Sequence, residues 1–122
     1  MLRCHPQIYI FGNSMSDFYS TPKGDPNEKS GENKAVRLVV SGLVQGVGFR
    51  WYVKRVADDY GVSGFVRNRD DGSVESVAEG DSSAVHGFLD EVKVGPSSAH
   101  VTGVNVEWLN FEGKYKGFNI QL

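Results

Sequence analysis

The chain has 122 residues, 39% of them hydrophobic and 23% charged, with a formal net charge of −2. This is the make-up of one folded domain rather than a disordered chain, and the mild negative charge argues against non-specific nucleic-acid binding while allowing a small anion at a local positive site. No apolar run approaches the roughly 18 residues of a membrane span, Ile8-Tyr9-Ile10-Phe11 lacks the flanks of a secretory signal, and the single cysteine, Cys4, makes no internal disulfide, so the chain is expected to be cytoplasmic, without a membrane partner.

In chain order, residues 1–34 read as a flexible leader. From about Gly12 to Lys34 the chain is rich in Asn, Ser, Asp, Gly, Pro, Lys and Glu, and Pro22, Gly24, Pro26 and Gly31 punctuate it. Ile8–Phe11 offers an extra edge strand, but a loosely held tail is the expected state, and Met15 is an alternative start. From Ala35 the pattern becomes regular. Val36, Leu38 and Val40 alternate with Arg37 and Val39, a strand signal. A loop with two glycines follows, Leu43-Val44-Gln45-Gly46-Val47-Gly48. Then Phe49, Val53, Val56, Ala57 and Tyr60 share one helical face, and Gly61 stands where a helix stop belongs.

Val62 to Arg69 reads as a second strand, Asp70-Asp71-Gly72 as a turn, and Ser73 to Glu79 as the returning strand of a hairpin. Asp81 or Ser82 caps a second helix, whose apolar face is Ala84, Val85, Phe88, Leu89 and Val92, ended by Gly95-Pro96. Val101, Val104, Val106 and Trp108 mark a fourth strand, and Tyr115 to Leu122 a short fifth one. The order is βαββαβ with a short C-terminal strand. The fold class expected is α+β, a ferredoxin-like sandwich with an antiparallel sheet and both helices on one face, spanning residues 35–122.

Gly46-Val47-Gly48-Phe49-Arg50 joins the first strand to the first helix. Loop N–H groups and the positive end of a helix meet there, both favouring an anion. Glycines let the backbone curl around a ligand, and a guanidinium in the first turn matches two phosphate oxygens. The run is neither a Walker loop nor a dinucleotide fingerprint. On physics alone it is as readily a glycine-rich connector with Arg50 solvated as an anion site. Asn68, at the end of the second strand, can hold a water through its amide, though by itself it reads as a turn-capping residue. Arg67 and Arg69 point to the face opposite Asn68 and read as solvated charges.

These residues acquire a joint meaning through a resemblance. Gly42-Leu43-Val44-Gln45-Gly46-Val47-Gly48-Phe49-Arg50 looks like the first signature of the acylphosphatase family. Gly64-Phe65-Val66-Arg67-Asn68 with Asp71-Gly72-Ser73-Val74-Glu75 looks like the second. Ala78-Glu79-Gly80 and Gly95-Pro96 also fall where that family has similar residues. The resemblance runs from about residue 35 to 122 and implies the fold derived above. It implies that Arg50 binds phosphate, that Asn68 orients water, and that Gln45, Gly46, Val47, Gly48 and Phe49 form the cradling loop. Phe65 departs from the tryptophan common in the family, which implies a change of packing only.

The reaction so implied is hydrolysis of a small acyl phosphate to carboxylate and inorganic phosphate, by a monomer needing no cofactor or metal. His5, His86 and His100 show no ligand spacing, and His86 reads as solvated on the second helix. Cys4 has only His5 nearby and reads as a free thiol without a role, and Ser41 has no visible base. Asp58 and Asp59 read as surface charges. The alternative is a non-catalytic anion-binding or regulatory module, since domains of this family also sit inside hydrogenase maturation factors. The chain's stop at Leu122 favours a free-standing enzyme. RNA binding on the same topology is disfavoured, because the central strand shows no stacking aromatic.

Overall fold

The computed structural model describes residues 7–10 and 32–122. Among these described residues, six strands and two helices follow the order β1 (Gln7–Ile10), β2 (Asn33–Leu43), α1 (Phe49–Tyr60), β3 (Ser63–Asn68), β4 (Val74–Asp81), α2 (Ser82–Val94), β5 (His100–Leu109) and β6 (Phe118–Gln121). They form one sheet in the order β1-β5-β2-β4-β3-β6, the ferredoxin-like arrangement expected.

The period of two in β2 decides which side of the sheet is the core. Val36, Leu38 and Val40 are buried and lie opposite Ala78, Ser76 and Val74 of β4 and opposite Trp108, Val106 and Val104 of β5. The helices cover that face. Phe49, Val53, Val56 and Ala57 of α1 and Val85, Phe88, Leu89 and Val92 of α2 join the strand residues in a single cluster. Each fully buried aliphatic or aromatic side chain contributes about 1.5–3 kcal/mol, which gives a domain of this size its stability.

The other face is polar. Glu75 receives a hydrogen bond from Arg37 at 2.7 Å and another from Arg67 at 2.6 Å, and Arg37 also lies 3.5 Å from Glu107. Arg67 is therefore an ion-pair partner rather than the solvated charge expected, because β3–β4 register sets it directly opposite Glu75. Burial pushes the Glu75 carboxyl up, but hydrogen bonding and charge from Arg37, then Arg67, outweigh this and hold it below its ordinary value.

Two strands refine the expected picture. β6 pairs with β3 in parallel, so the sheet is mixed rather than wholly antiparallel. The reason is directional: β6 reverses β5, and β3 also runs opposite to β5. The connecting segment crosses the polar face, where the Glu79 carboxylate accepts N–H groups of Glu112, Gly113 and Tyr115 at 3.2–3.4 Å, and Tyr115 packs on Phe65 with centroids 5.8 Å apart. Phe65 thus has a packing role, away from the helix face. Within the expected leader, Gln7–Ile10 is an edge strand antiparallel to β5, with Gln7 opposite Val106 and Ile10 opposite Gly103. The free edge of β5 offers a row of backbone donors and acceptors, and this outweighs the loose tail expected for these four residues. Cys4, His5, Phe11, Met15 and the residues through 31 lie outside the described residues. No described helix is long and apolar enough to cross a membrane.

Candidate active site

The site is built where β2 hands over to α1. Val44 is buried and fixes the start of the loop. Gly46 and Gly48 take φ of 77° and 78°, whereas no non-glycine residue among those described has a positive φ. Backbone sign therefore alternates along Gln45-Gly46-Val47-Gly48, the pattern that turns successive N–H groups toward one concavity. A Cβ added at either glycine would meet nothing within 4 Å, so conformation and not crowding requires glycine at both positions.

Helix α1 adds its own donors. Its first internal bond runs from the Tyr52 N–H to the Gly48 carbonyl at 3.0 Å, which leaves the N–H groups of Phe49, Arg50 and Trp51 without an intrahelical acceptor. Gly48 is the N-cap, no side chain among the described residues caps the helix, and its first turn has no acidic residue. The contrast with α2 is direct, for there Asp81 accepts the Ser83 N–H at 3.1 Å. The positive end of α1 is thus open to an anion, while that of α2 is satisfied internally.

Arg50 is half-buried in the first turn of α1. It donates to the Gln121 carbonyl of β6 at 3.4 Å, a long bond that is easily exchanged for a stronger acceptor. Among the described residues Arg50 makes no ion pair. Asn68 ends β3 opposite Val74 and lies on the helix-facing side with Val66. Val40, Val74 and Asn68 form one row across the sheet at the end where the loop begins. Gln121 stands opposite Arg67, so the carbonyl that Arg50 touches lies beside the residue preceding Asn68.

Two side chains tie the loop in place, and neither contact was expected from the sequence. The Gln45 amide donates to the Arg69 carbonyl at 2.7 Å and to the Ser73 carbonyl at 2.9 Å. It thereby links the cradle to the hairpin that carries Asn68. Inside that hairpin Asp71 accepts the Ser73 N–H at 3.0 Å and its hydroxyl at 2.5 Å. These bonds, the hydroxyl's first, hold the Asp71 carboxyl below its ordinary value. From the opposite side the turn after α2 reaches the loop: Ser98 Oγ donates to the Val47 carbonyl at 2.9 Å.

The remaining candidates stand apart. His86 packs on Trp108, centroids 4.9 Å apart, instead of pointing freely into solvent. Lys54 bonds Asp58 at 3.0 Å one turn along α1, and Ser41 and His100 are exposed strand residues. The described residues hold no group of three or more His, Cys, Asp or Glu placed for a metal ion.

A cradle of backbone donors beside one guanidinium suits a tetrahedral oxyanion. The family model described as acylphosphatase matches residues 36–120. An acylphosphatase of Thermotoga petrophila is 52% identical over 88 residues, covering 72% of this chain and 97% of that protein. The crystal structure of acylphosphatase from Bacillus subtilis superposes with a TM-score of 0.70 at 39% identity, covering 73% of this chain and 99% of the other. Full-length HypF in its phosphate- and nucleotide-bound form matches with a TM-score of 0.66 at 28% identity, over 75% of this chain and 12% of HypF. With its two signatures, its fold and these relatives in agreement, the chain belongs to the acylphosphatase family.

Proposed function

We propose that this protein hydrolyses small acyl phosphates, with Arg50 and the N–H groups from Gln45 to Phe49 holding the phosphoryl group and Asn68 placing the attacking water. The observation that carries the reading is the uncapped N-terminus of α1, joined to the Gly46–Gly48 curl and to an arginine that forms no ion pair among the described residues. Phosphoryl transfer is largely positioning and charge stabilisation. The loop donors and the guanidinium meet charge on the non-bridging oxygens. Water oxygen bonds to phosphorus as the bond from phosphorus to the acyl oxygen breaks, and the carboxylate leaves with that electron pair. An amide is no base, so one water proton passes to a phosphoryl oxygen, and inorganic phosphate departs.

The proposal extends to a cytoplasmic monomer without a nucleic-acid or membrane partner, whose catalytic unit is residues 35–122 and whose residues 1–34 form a leader outside the chemistry. The lone cysteine and the net charge of −2 support the first part, and the family match over residues 36–120 supports the second. Kinetics of Asn68→Ala on benzoyl phosphate test the division of labour. Turnover falls by about 10²-fold or more, while inhibition by inorganic phosphate changes little, because the amide acts on water. If phosphate inhibition weakens greatly while turnover holds, the roles assigned to Arg50 and Asn68 are wrong.

A further inference from the structure

The turn that follows α2 has no part in the chemistry above, yet it touches the cradle at two points. Gly95 ends α2 with a φ of 76°, and a Cβ there would lie 3.0 Å from the buried ring of Phe49. The chain then folds back tightly, with the Ala99 N–H on the Pro96 carbonyl at 3.0 Å. That closure sets Ser98 on the rim, where its hydroxyl donates 2.9 Å to the carbonyl of Val47. The partners lie 51 positions apart in sequence.

The carbonyl of Val47 and the N–H of Gly48 belong to one trans peptide, so they point in opposite directions. In a backbone of alternating φ sign the N–H groups face the concavity and the carbonyls face out. A donor on the outer carbonyl therefore fixes the tilt of the peptide and, with it, the aim of the Gly48 N–H. Gly46 and Gly48 are the two residues of this loop with the widest backbone freedom, so the peptide between Val47 and Gly48 needs a brace. We propose that Ser98 is a positioning residue for phosphate: its hydroxyl locks the Val47–Gly48 peptide so that the Gly48 N–H stays directed at the bound anion.

This proposal rests on the phosphate site proposed above and deepens it. Ser98 is exposed, so water can take over at the Val47 carbonyl when the hydroxyl is removed, and the fold has little to lose. A purely structural role would alter the melting temperature; a positioning role alters anion affinity instead.

The test compares wild type, Ser98→Ala and Ser98→Thr by phosphorus NMR titration with inorganic phosphate, thermal melting and benzoyl phosphate kinetics. Ser98→Ala weakens phosphate binding and lowers kcat/KM by about 2- to 10-fold, the worth of one neutral hydrogen bond, with an unchanged melting temperature. Ser98→Thr, which keeps the hydroxyl, restores both. Wild-type phosphate affinity in Ser98→Ala overturns the proposal, as does a loss in Ser98→Thr equal to that in Ser98→Ala. The titration needs no turnover. Phosphate binding without benzoyl phosphate hydrolysis by wild type would overturn the catalytic reading alone, and the two variants would still decide the role of Ser98.

Discussion

At the scale of single residues, this site depends on donors that have been kept from satisfying one another. Among the described residues, Arg50 bonds only the Gln121 carbonyl, at 3.4 Å, and no side chain caps the first turn of α1. Its neighbours are fully engaged: Gln45 spends both amide hydrogens on the hairpin. Gln45→Ala removes one of the two donors on each of two carbonyls, leaving the Gly72 N–H on Arg69 and the Arg69 N–H on Ser73, and unties the cradle from the hairpin that carries Asn68. We expect a loss of about 1–2 kcal/mol in denaturant unfolding, with turnover reduced more than that stability loss explains. Unaltered stability and turnover would show that the tie is dispensable. Gln45 was legible in the sequence as part of the loop, but its side-chain partners were not, for they lie 24 and 28 residues away and depend on how the hairpin folds over. Ser98 was hidden for the same reason. Arg50 and Asn68 are the reverse case: neither is decisive by itself, and the resemblance of the two segments to the acylphosphatase signatures is what singles them out.

At the scale of elements, both helices were readable from apolar spacing, and their glycine and aspartate termini from capping rules. The strands were readable from alternation, but not their pairing. Register made Arg67 a partner of Glu75, and strand direction made β6 parallel to β3. The end of β2 shows why the irregularities matter. Its register with β5 shifts between Ser41 and Gly42, and Gly42 has a φ of 121°. A Cβ there would collide with the backbone carbonyl of His100. This bulge bends the strand into the cradle loop. Gly42→Ala should destabilise the domain by about 2–4 kcal/mol, from strain and overlap with a backbone that cannot yield. A chemical melt within 0.5 kcal/mol of wild type, by that same scale of ordinary surface substitutions, would show that the bulge is not required.

At the scale of the whole molecule, the sheet separates two kinds of work. One face is an apolar core under the helices, and the other carries the Arg37–Glu75–Arg67 network and the crossing segment held by Glu79. The network makes stability depend on pH in a definite direction. The Glu75 carboxyl is held below its ordinary value of 4.5 in the fold, so its contribution is present above that value and is lost as pH falls through the folded one. Glu75→Gln should cost about 1–2 kcal/mol at neutral pH, since its arginine partners are partly exposed, and should flatten the acid limb of the stability curve. At the alkaline end Lys93 is buried, and burial pulls its ammonium down to about 8, with Asp90 partly opposing. Between about 8 and 10.5 the unfolded chain binds the more protons at this site, so this residue makes stability rise with pH. Melting curves across that range, with Lys93→Met as the control that removes the slope, check the sign.

One end of the sheet carries the proposed site: there β2 runs into the cradle loop, β3 ends at Asn68, and Arg50 reaches the Gln121 carbonyl of β6. The measurement that tests this most directly is the loss of benzoyl phosphate absorbance, followed in EDTA with wild-type protein and with Arg50→Ala. The expected result is rapid hydrolysis by wild type and a fall of about 10²–10³-fold or more in the folded variant. Near-normal turnover by Arg50→Ala, or none by well-folded wild type, would contradict it.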